Sequence, residues 1–152
     1  MAKFGNKSMS QLVTTDQDIQ TIMMEVIKWR DFSVIEGQRT AERQNHHWSK
    51  GRKLNGDPRK RADWEVIDSK LIVTTKDGYE KKSRHQGQPK SNAIDVVPYP
   101  EMWGNDQAFY ELAGVIKATQ ERLLQEGKIT KLLDWGADLW NGFDKPHWQI
   151  KQ

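Results

Sequence analysis

Cysteine is absent from the 152-residue sequence, and histidine is scarce. Without cysteine the chain has no disulfide bond, no thiol nucleophile and no thiolate metal ligand. Any bound metal must therefore be held by histidine, aspartate or glutamate side chains. The histidines are four in number: His46, His47, His85 and His147.

Long apolar runs are also missing. No stretch approaches the ~18 apolar residues of a membrane helix, and the N-terminal segment lacks the basic start and apolar run of a secretory signal. We therefore expect a protein that is made in the cytoplasm and does not insert into a membrane. If its substrate lies outside the membrane, another protein must allow this chain to cross the membrane.

Positive charge exceeds negative charge only slightly. The chain carries 24 Lys and Arg against 21 Asp and Glu, which gives a net charge of +3 and a pI near 9.1. A mildly basic protein suits an anionic polymer, and a bacterial cell wall and a nucleic acid fit this charge equally well. Because no helix-turn-helix, zinc-finger or aromatic-sheet motif is present, we do not expect nucleic acid as a partner.

Bulky aromatic residues supply core material despite a mean hydropathy of −0.88. Apolar periodicity predicts helices over 16–30 and 106–126, and Gly127 follows the second. Residues that favour helices predict another over 40–50. Short strands are predicted at 32–35, 71–73, 93–99 and 147–150. The basic run Lys50–Arg61 is predicted to be an exposed loop, either simply solvated or in contact with an anionic wall. These elements predict one α+β domain spanning residues 1–152.

Two histidines and two aspartates could form a zinc site. Asp95 lies between isoleucine and valine on a predicted strand, where a carboxylate is costly to bury unless it is paired or binds a metal. With His85 and His147 it would supply three ligands and leave the fourth position of a catalytic zinc open. Asp144 could then act as the general base. The residues alone equally allow Asp95 to pair with an arginine and Asp144 to be a turn residue before Pro146.

The spacing of small and polar residues around these candidates resembles a known family. Ser83, His85, Gly87, Ala93 and Asp95 follow one another in the order of the S-x-H-x-x-G-x-A-x-D signature of the M15 metallopeptidases. This family includes D-Ala-D-Ala carboxypeptidases, dipeptidases and L-Ala-D-Glu endolysins. The step from His85 to Asp95 is three residues longer here than in that pattern, which we interpret as a lengthened loop that leaves its ends in place.

Three further segments match the same family in the same order. Residues 37–44 resemble its G-x-R-T segment that ends in glutamine, and residues 144–148 resemble its [DE]-x-x-H motif. Residues 135–138 resemble W-G-G-D, with Ala137 in place of the second glycine. The resemblance implies an α+β fold in which a small antiparallel sheet carries the zinc site between flanking helices, as in Hedgehog-like and DD-peptidase-like proteins.

The resemblance also implies a role for each matching residue. His85, Asp95 and His147 would be zinc ligands, and Asp144 would take a proton from water and pass it to the leaving amine. Arg39 would bind the substrate or stabilise the oxyanion. The remaining expected site residues are Ser83, Gln44 and Trp148 near the substrate and Asp138 in support. His46 and His47 are adjacent on a predicted helix and do not share a face, so we expect them at the surface or against the wall.

The function predicted from the sequence is that of a phage-type endolysin, a zinc-dependent peptidase that cleaves peptidoglycan stem peptides. The L-Ala–D-Glu bond is the first expectation. The alternatives are a D-Ala-D-Ala carboxypeptidase of the same fold and a non-catalytic, zinc-containing module that binds the wall. We expect a monomer that reaches peptidoglycan after a holin has permeabilised the membrane.

Overall fold

The computed structural model describes residues 1–152, which form five α-helices and six β-strands. The helices are α1 (Asn6–Leu12), α2 (Gln17–Val26), α3 (Ala41–Trp48), α4 (Asp106–Gln125) and α5 (Gly136–Leu139). The strands are β1 (Phe32–Glu36), β2 (Arg52–Leu54), β3 (Trp64–Val66), β4 (Ala93–Pro98), β5 (Leu133–Trp135) and β6 (His147–Ile150). Short 3-10 turns lie at Arg61–Asp63, Ser69–Leu71 and Arg84–Gln86. None of the helices is long and apolar enough to cross a membrane.

Four strands make one antiparallel sheet in the order β1-β4-β6-β5. Apolar residues of α2, α4 and one face of this sheet share a core of 19 buried residues. Ile94 and Val96 of β4 and Trp148 of β6 belong to this core. Because side chains alternate along a strand, the residues between them project from the opposite face, where the polar candidates lie.

Helix side chains cover both edges of the sheet. Ser8 and Gln11 of α1 each accept a hydrogen bond of 3.1 Å from a backbone N–H of β1 or the residue after it. At the other edge, the amide of Gln120 in α4 donates to the carbonyl of Leu133 at 3.1 Å and accepts from its N–H at 2.8 Å. These bonds satisfy backbone groups of Val34 and Leu133 that the outer edges of β1 and β5 would otherwise leave unpaired.

The predicted α+β architecture, with a small antiparallel sheet flanked by helices, is confirmed. The predicted helices form as α2, α3 and α4, and three of the four predicted strands form as β1, β4 and β6. The strand predicted at 71–73 is wrong, because Ser69–Leu71 is a 3-10 turn and both Leu71 and Val73 are exposed. The predicted loop over 50–61 is also partly wrong, since it contains β2, which pairs with β3 in a separate hairpin.

Candidate metal centre

Asp95 and His147 face each other across the two central strands. The antiparallel register of β4 and β6 pairs these two residues directly. Directly opposed residues project from the same face of a sheet, so the register alone brings their side chains together. His147 is buried, and Asp95 is only slightly exposed.

His85 reaches the same point from the turn Arg84–Gln86. The hydroxyl of Ser83 accepts a hydrogen bond from the backbone N–H of His85 at 3.2 Å, and Gln86 accepts in return from the N–H of Ser83 at 2.9 Å. This reciprocal capping box fixes the start of the turn. The backbone N–H of Arg39, in the loop after β1, donates to the carbonyl of His85 at 2.8 Å. Ser83 therefore positions a candidate ligand.

Three potential ligand atoms converge at one point: Nε2 of His85, Nδ1 of His147 and Oδ1 of Asp95. The two nitrogens are 3.2 Å apart, and each lies 3.3 Å from the carboxylate oxygen. Zinc bonds of ~2.0–2.1 Å in a tetrahedral site place neighbouring ligand atoms about 3.3–3.4 Å apart. The observed spacing therefore fits zinc.

In both His85 and His147, the ring nitrogen that points away from Asp95 is hydrogen-bonded, which leaves a lone pair on the nitrogen that faces Asp95. Nδ1 of His85 lies 2.7 Å from the carbonyl oxygen of Gly37, which can only accept, so Nδ1 carries the ring proton. Nε2 of His147 lies 3.0 Å from Oε1 of Gln149, so a neutral His147 presents a lone pair at Nδ1. Oδ1 of Asp95 is buried and accepts no hydrogen bond. Two lone pairs and a carboxylate oxygen in one small space form a group that could hold a cation between them.

The charges of the cluster set its protonation. Burial alone would raise the pKa of Asp95, but the nearby imidazoles of His85 and His147 favour the carboxylate and hold this pKa below its ordinary value. Burial alone would lower the pKa of His147, but the nearby carboxylate of Asp95 outweighs burial and raises this pKa. A proton on His147 would occupy the position that a metal needs, so proton and metal compete for this nitrogen.

The guanidinium of Arg39 donates hydrogen bonds to two neighbours and lies beside a third. Its Nε and Nη2 donate to the two carboxylate oxygens of Glu36 at 3.1 and 2.7 Å, and Nη1 donates to Oε1 of Gln44 at 2.7 Å. Nη2 also lies 3.4 Å from Oδ2 of Asp95. This contact holds the outer oxygen of Asp95 and leaves Oδ1 for a metal. Gln44 is 1% exposed, so it supports Arg39 and does not face a substrate.

Asp144 lies in the loop between α5 and β6, in a left-handed backbone conformation with a φ of 59°. This conformation costs a residue other than glycine roughly 1 kcal/mol, and it persists where surrounding structure enforces it. Gly136 packs closely against this loop. A Cβ at position 136 would collide with the carbonyl oxygen of Asp144 and crowd the Cβ of His147. The glycine of the Trp135–Asp138 segment thus packs directly against the loop that carries the candidate base.

Burial and the charges of the cluster shift the pKa of the Asp144 carboxyl. Burial raises its pKa above the ordinary value, and the charge of Asp95 adds to this effect, while the charges of His147 and Arg39 oppose it. A partly buried carboxyl with a raised pKa can accept a proton and hold it for a later transfer.

The architecture that presents this cluster also occurs in a known peptidase. The fold matches the crystal structure of the Serratia marcescens L-Ala D-Glu endopeptidase ChiX, with a TM-score of 0.62 and 21% sequence identity. The match covers 97% of this chain and 89% of that one. The chain has the fold of an L-Ala D-Glu endopeptidase. By sequence it matches no family model and no curated protein.

Two residues predicted from the sequence lie away from the cluster in this endopeptidase fold. Trp148 is 1% exposed and stacks on Trp135 in the core, with ring centroids 5.8 Å apart. It follows His147 on a strand, so it points to the other face of the sheet and cannot contact a substrate. Asp138 is exposed on α5 and forms an ion pair with Lys117. The side chains of these two residues pair with Trp135 and Lys117 and not with the three ligand candidates.

Three residues that orient the cluster were missed in the sequence. The carbonyl of Gly37 and the side chain of Gln149 fix the two histidine rings, and Glu36 holds the guanidinium beside Asp95. Gln149 could have been found, because it is two residues after His147 and shares its face of β6. The other two depend on how the loop after β1 meets the sheet.

The adjacent histidines on α3 stay outside the candidate metal centre. His46 is exposed and His47 is partly buried, with ring centroids 6.3 Å apart. The group of potential metal ligands includes neither of them.

Proposed function

We propose that this chain is a zinc-dependent peptidase that cleaves peptidoglycan stem peptides. The observation that carries this proposal is the convergence of His85, Asp95 and His147 through three ligand atoms 3.2–3.3 Å apart. The backbone carbonyl of Asp144 accepts a hydrogen bond from the N–H of His147 at 3.2 Å. Three protein ligands suit a catalytic zinc, since a structural zinc is normally closed by four. The shared fold with an L-Ala D-Glu endopeptidase supports this class of substrate.

Each residue of the site then has a defined part in hydrolysis. Zinc held by His85, Asp95 and His147 would polarise the scissile carbonyl and lower the pKa of water toward ~7. Asp144 takes a proton from the attacking water and returns it to the leaving nitrogen. Because most N–H groups of Arg39 already have acceptors, we assign this residue the positioning of Asp95 in preference to oxyanion binding.

We further propose that the bond cleaved is L-Ala–D-Glu and that the protein is a phage-type endolysin. The fold shared with an L-Ala D-Glu endopeptidase supports the choice of bond, and the motif resemblance around residues 83–96 and 144–148 supports the endolysin role. In that role a monomer would reach the wall after a holin has opened the membrane. Release of a terminal D-Ala instead would assign the protein to the carboxypeptidases.

Replacing Asp144 by asparagine separates an enzyme from a binding module. The amide has the same shape and cannot take a proton, so we expect peptidoglycan cleavage to fall by about 10²–10⁴-fold. Zinc content should stay unchanged, because Asp144 is not among the converging ligand atoms. Cleavage is followed by chromatography of released peptides, and zinc by metal analysis.

Asp138→Asn is the matched control, since Asp138 lies on α5, six residues before Asp144, where it is exposed and paired with Lys117. It should retain full activity. Undiminished cleavage by Asp144→Asn would remove Asp144 from the mechanism. Loss of zinc from Asp144→Asn would make this residue a ligand and not a base.

A further inference from the structure

Two exposed aromatic side chains lie in the loop that leads to the metal centre. The ring of Trp140 is centred 5.4 Å from the ring of His147, yet 45% of Trp140 remains exposed. Phe143 directly precedes Asp144 and is 65% exposed. Large apolar surface next to polar reactive groups marks a place where a ligand is bound. The ring of Trp140 therefore borders the site on the side of His147, and Phe143 belongs to the same loop.

The loop that carries these rings is held by its own backbone. The N–H of Trp140 donates to the carbonyl of Gly136 at 3.0 Å. The N–H of Phe143 donates to the carbonyl of Trp140, also at 3.0 Å. The N–H of Gly142 donates to the carbonyl of Ala137 at 2.7 Å. A turn that is ordered in advance costs a ligand less conformational entropy on binding.

We propose that Trp140, assisted by Phe143, binds the N-acetylmuramoyl sugar to which the stem peptide is attached. This inference rests on the proposed cleavage of the L-Ala–D-Glu bond. In that substrate the amine of L-Ala is joined to the lactyl group of the sugar. The sugar therefore lies within roughly two residue lengths, about 7 Å, of the scissile carbonyl. An aromatic ring centred 5.4 Å from a ligand histidine is within reach of it.

The other groups near this bond suit the two rings less well. L-Ala offers a single methyl group, and the carboxylate of D-Glu is repelled by the negative face of an aromatic ring. An ammonium group on the third stem residue could bind an aromatic face. Lys145, however, already places a cation in this loop, with its Nζ 3.1 Å from the carbonyl oxygen of Gly142. The uncharged C–H face of a pyranose ring matches the surface that Trp140 and Phe143 offer.

Two synthetic substrates test the proposal because they share the bond and differ in the sugar. One is N-acetylmuramoyl-L-Ala-D-Glu-L-Lys, and the other is N-acetyl-L-Ala-D-Glu-L-Lys. In the zinc-loaded protein, Trp140→Ala should lower kcat/KM for the muramoyl substrate about tenfold, mainly through KM, and change the acetyl substrate by no more than about twofold. Trp140→Phe should recover most of the loss, and Phe143→Ala should lose less than Trp140→Ala.

Trp29→Ala is the matched control, because Trp29 is 72% exposed and lines a groove on α4 beside Tyr110. It should leave both substrates unaffected. An equal loss on both substrates in Trp140→Ala would overturn the proposal, since Trp140 would then only position His147. Unchanged kinetics on both substrates would overturn it as well.

A binding measurement keeps the sugar site separate from the proposed function. If the zinc-loaded protein cleaves neither substrate, the proposed function fails. The sugar site is then decided by calorimetric titration with N-acetylmuramoyl-L-alanine, which contains no scissile bond. Binding that is lost in Trp140→Ala and kept in Trp29→Ala supports the site. No binding to the unsubstituted protein overturns it.

Discussion

At the scale of single residues, the orientation of two histidine rings makes the candidate metal centre possible. The carbonyl of Gly37 and the amide of Gln149 bind the outer nitrogens of His85 and His147, and the inner nitrogens then face Asp95. Outer partners of this kind set the tautomer and the direction of a metal ligand. The contact between His85 and the backbone carbonyl of Gly37 does not depend on a side chain, whereas the contact between His147 and the side chain of Gln149 can be removed by substitution.

Replacing Gln149 by leucine should therefore weaken zinc binding. The leucine has a similar volume but no acceptor for Nε2 of His147, so we expect a loss of about 10–100-fold in zinc affinity. Competition with a chromophoric chelator measures this change. Gln149→Glu keeps an acceptor and should bind zinc at least as well as the unsubstituted protein. Equal affinity in the leucine variant would exclude an orienting role for Gln149.

The contrast between Trp148 and Trp140 explains how much of the site the sequence could predict. The ligand candidates and Asp144 stand in short motifs, so the sequence points to them directly. Trp148 was selected because it is next to His147 in the chain, but strand alternation places it in the core. Trp140 is seven positions before His147 and reaches it only because the loop folds back. Proximity of this kind is not encoded in spacing.

At the scale of elements, the loop between His85 and Asp95 absorbs its extra length without losing its attachments. Residues 88–90 are exposed, so the additional chain bulges into solvent. Ser91 is tied back by two backbone hydrogen bonds of 2.9 Å, one to Thr14 and one to Asp16. β4 therefore begins at Ala93 in register with β6, and Asp95 still lies opposite His147.

Gly136→Ala should disturb the metal centre from within α5. The added Cβ collides with the carbonyl of Asp144, so we expect the free energy of unfolding to fall by about 1–3 kcal/mol and zinc affinity to fall with it. Gly114→Ala is the control, because a Cβ there meets nothing within 4 Å. In the middle of α4 it should stabilise by about 0.5–1 kcal/mol. Urea denaturation measures both, and a neutral Gly136→Ala would show that the loop can move freely.

The elements that were missed are short and depend on tertiary contacts. β2, β3 and β5 have three residues each, too few for an alternating pattern to be recognised. β5 is fixed by Gln120 of the distant helix α4, and the β2–β3 hairpin is fixed by Arg52, whose guanidinium lies 3.4 Å from the ring centre of Trp48. The long helices were predicted because their apolar stripes are local and repeated.

At the scale of the whole molecule, the coupled charges of the metal centre predict how stability depends on pH. Because the pKa of His147 is higher in the folded protein than in the unfolded chain, its protonation adds to the free energy of unfolding of the metal-free protein. This contribution is fully present below the unfolded pKa of about 6.5 and is lost as pH rises through the folded pKa. The lowered pKa of Asp95 contributes above the unfolded value of about 3.8 and is lost as pH falls. The contribution of this pair to the metal-free protein should therefore be largest between these two values.

Zinc should shift this optimum toward higher pH. Below the raised pKa of His147, zinc must displace one proton, so its affinity should fall about tenfold for each unit of pH. Above that pKa the dependence from this group should level off. Calorimetric zinc titrations in buffers of different ionisation enthalpy count the protons released. Zinc binding that releases no proton at any pH would contradict the assignment of His147 as a ligand.

Mass spectrometry of a peptidoglycan digest tests whether the protein cleaves the L-Ala–D-Glu bond with zinc. Purified sacculi are incubated with the zinc-loaded protein, with the protein plus chelator, and with the chelated protein after zinc is restored. We expect stem peptides with a new amino-terminal D-Glu in the first and third samples and none in the second. Absence of any released peptide or amino acid, from a protein that demonstrably binds zinc, would contradict the proposed function.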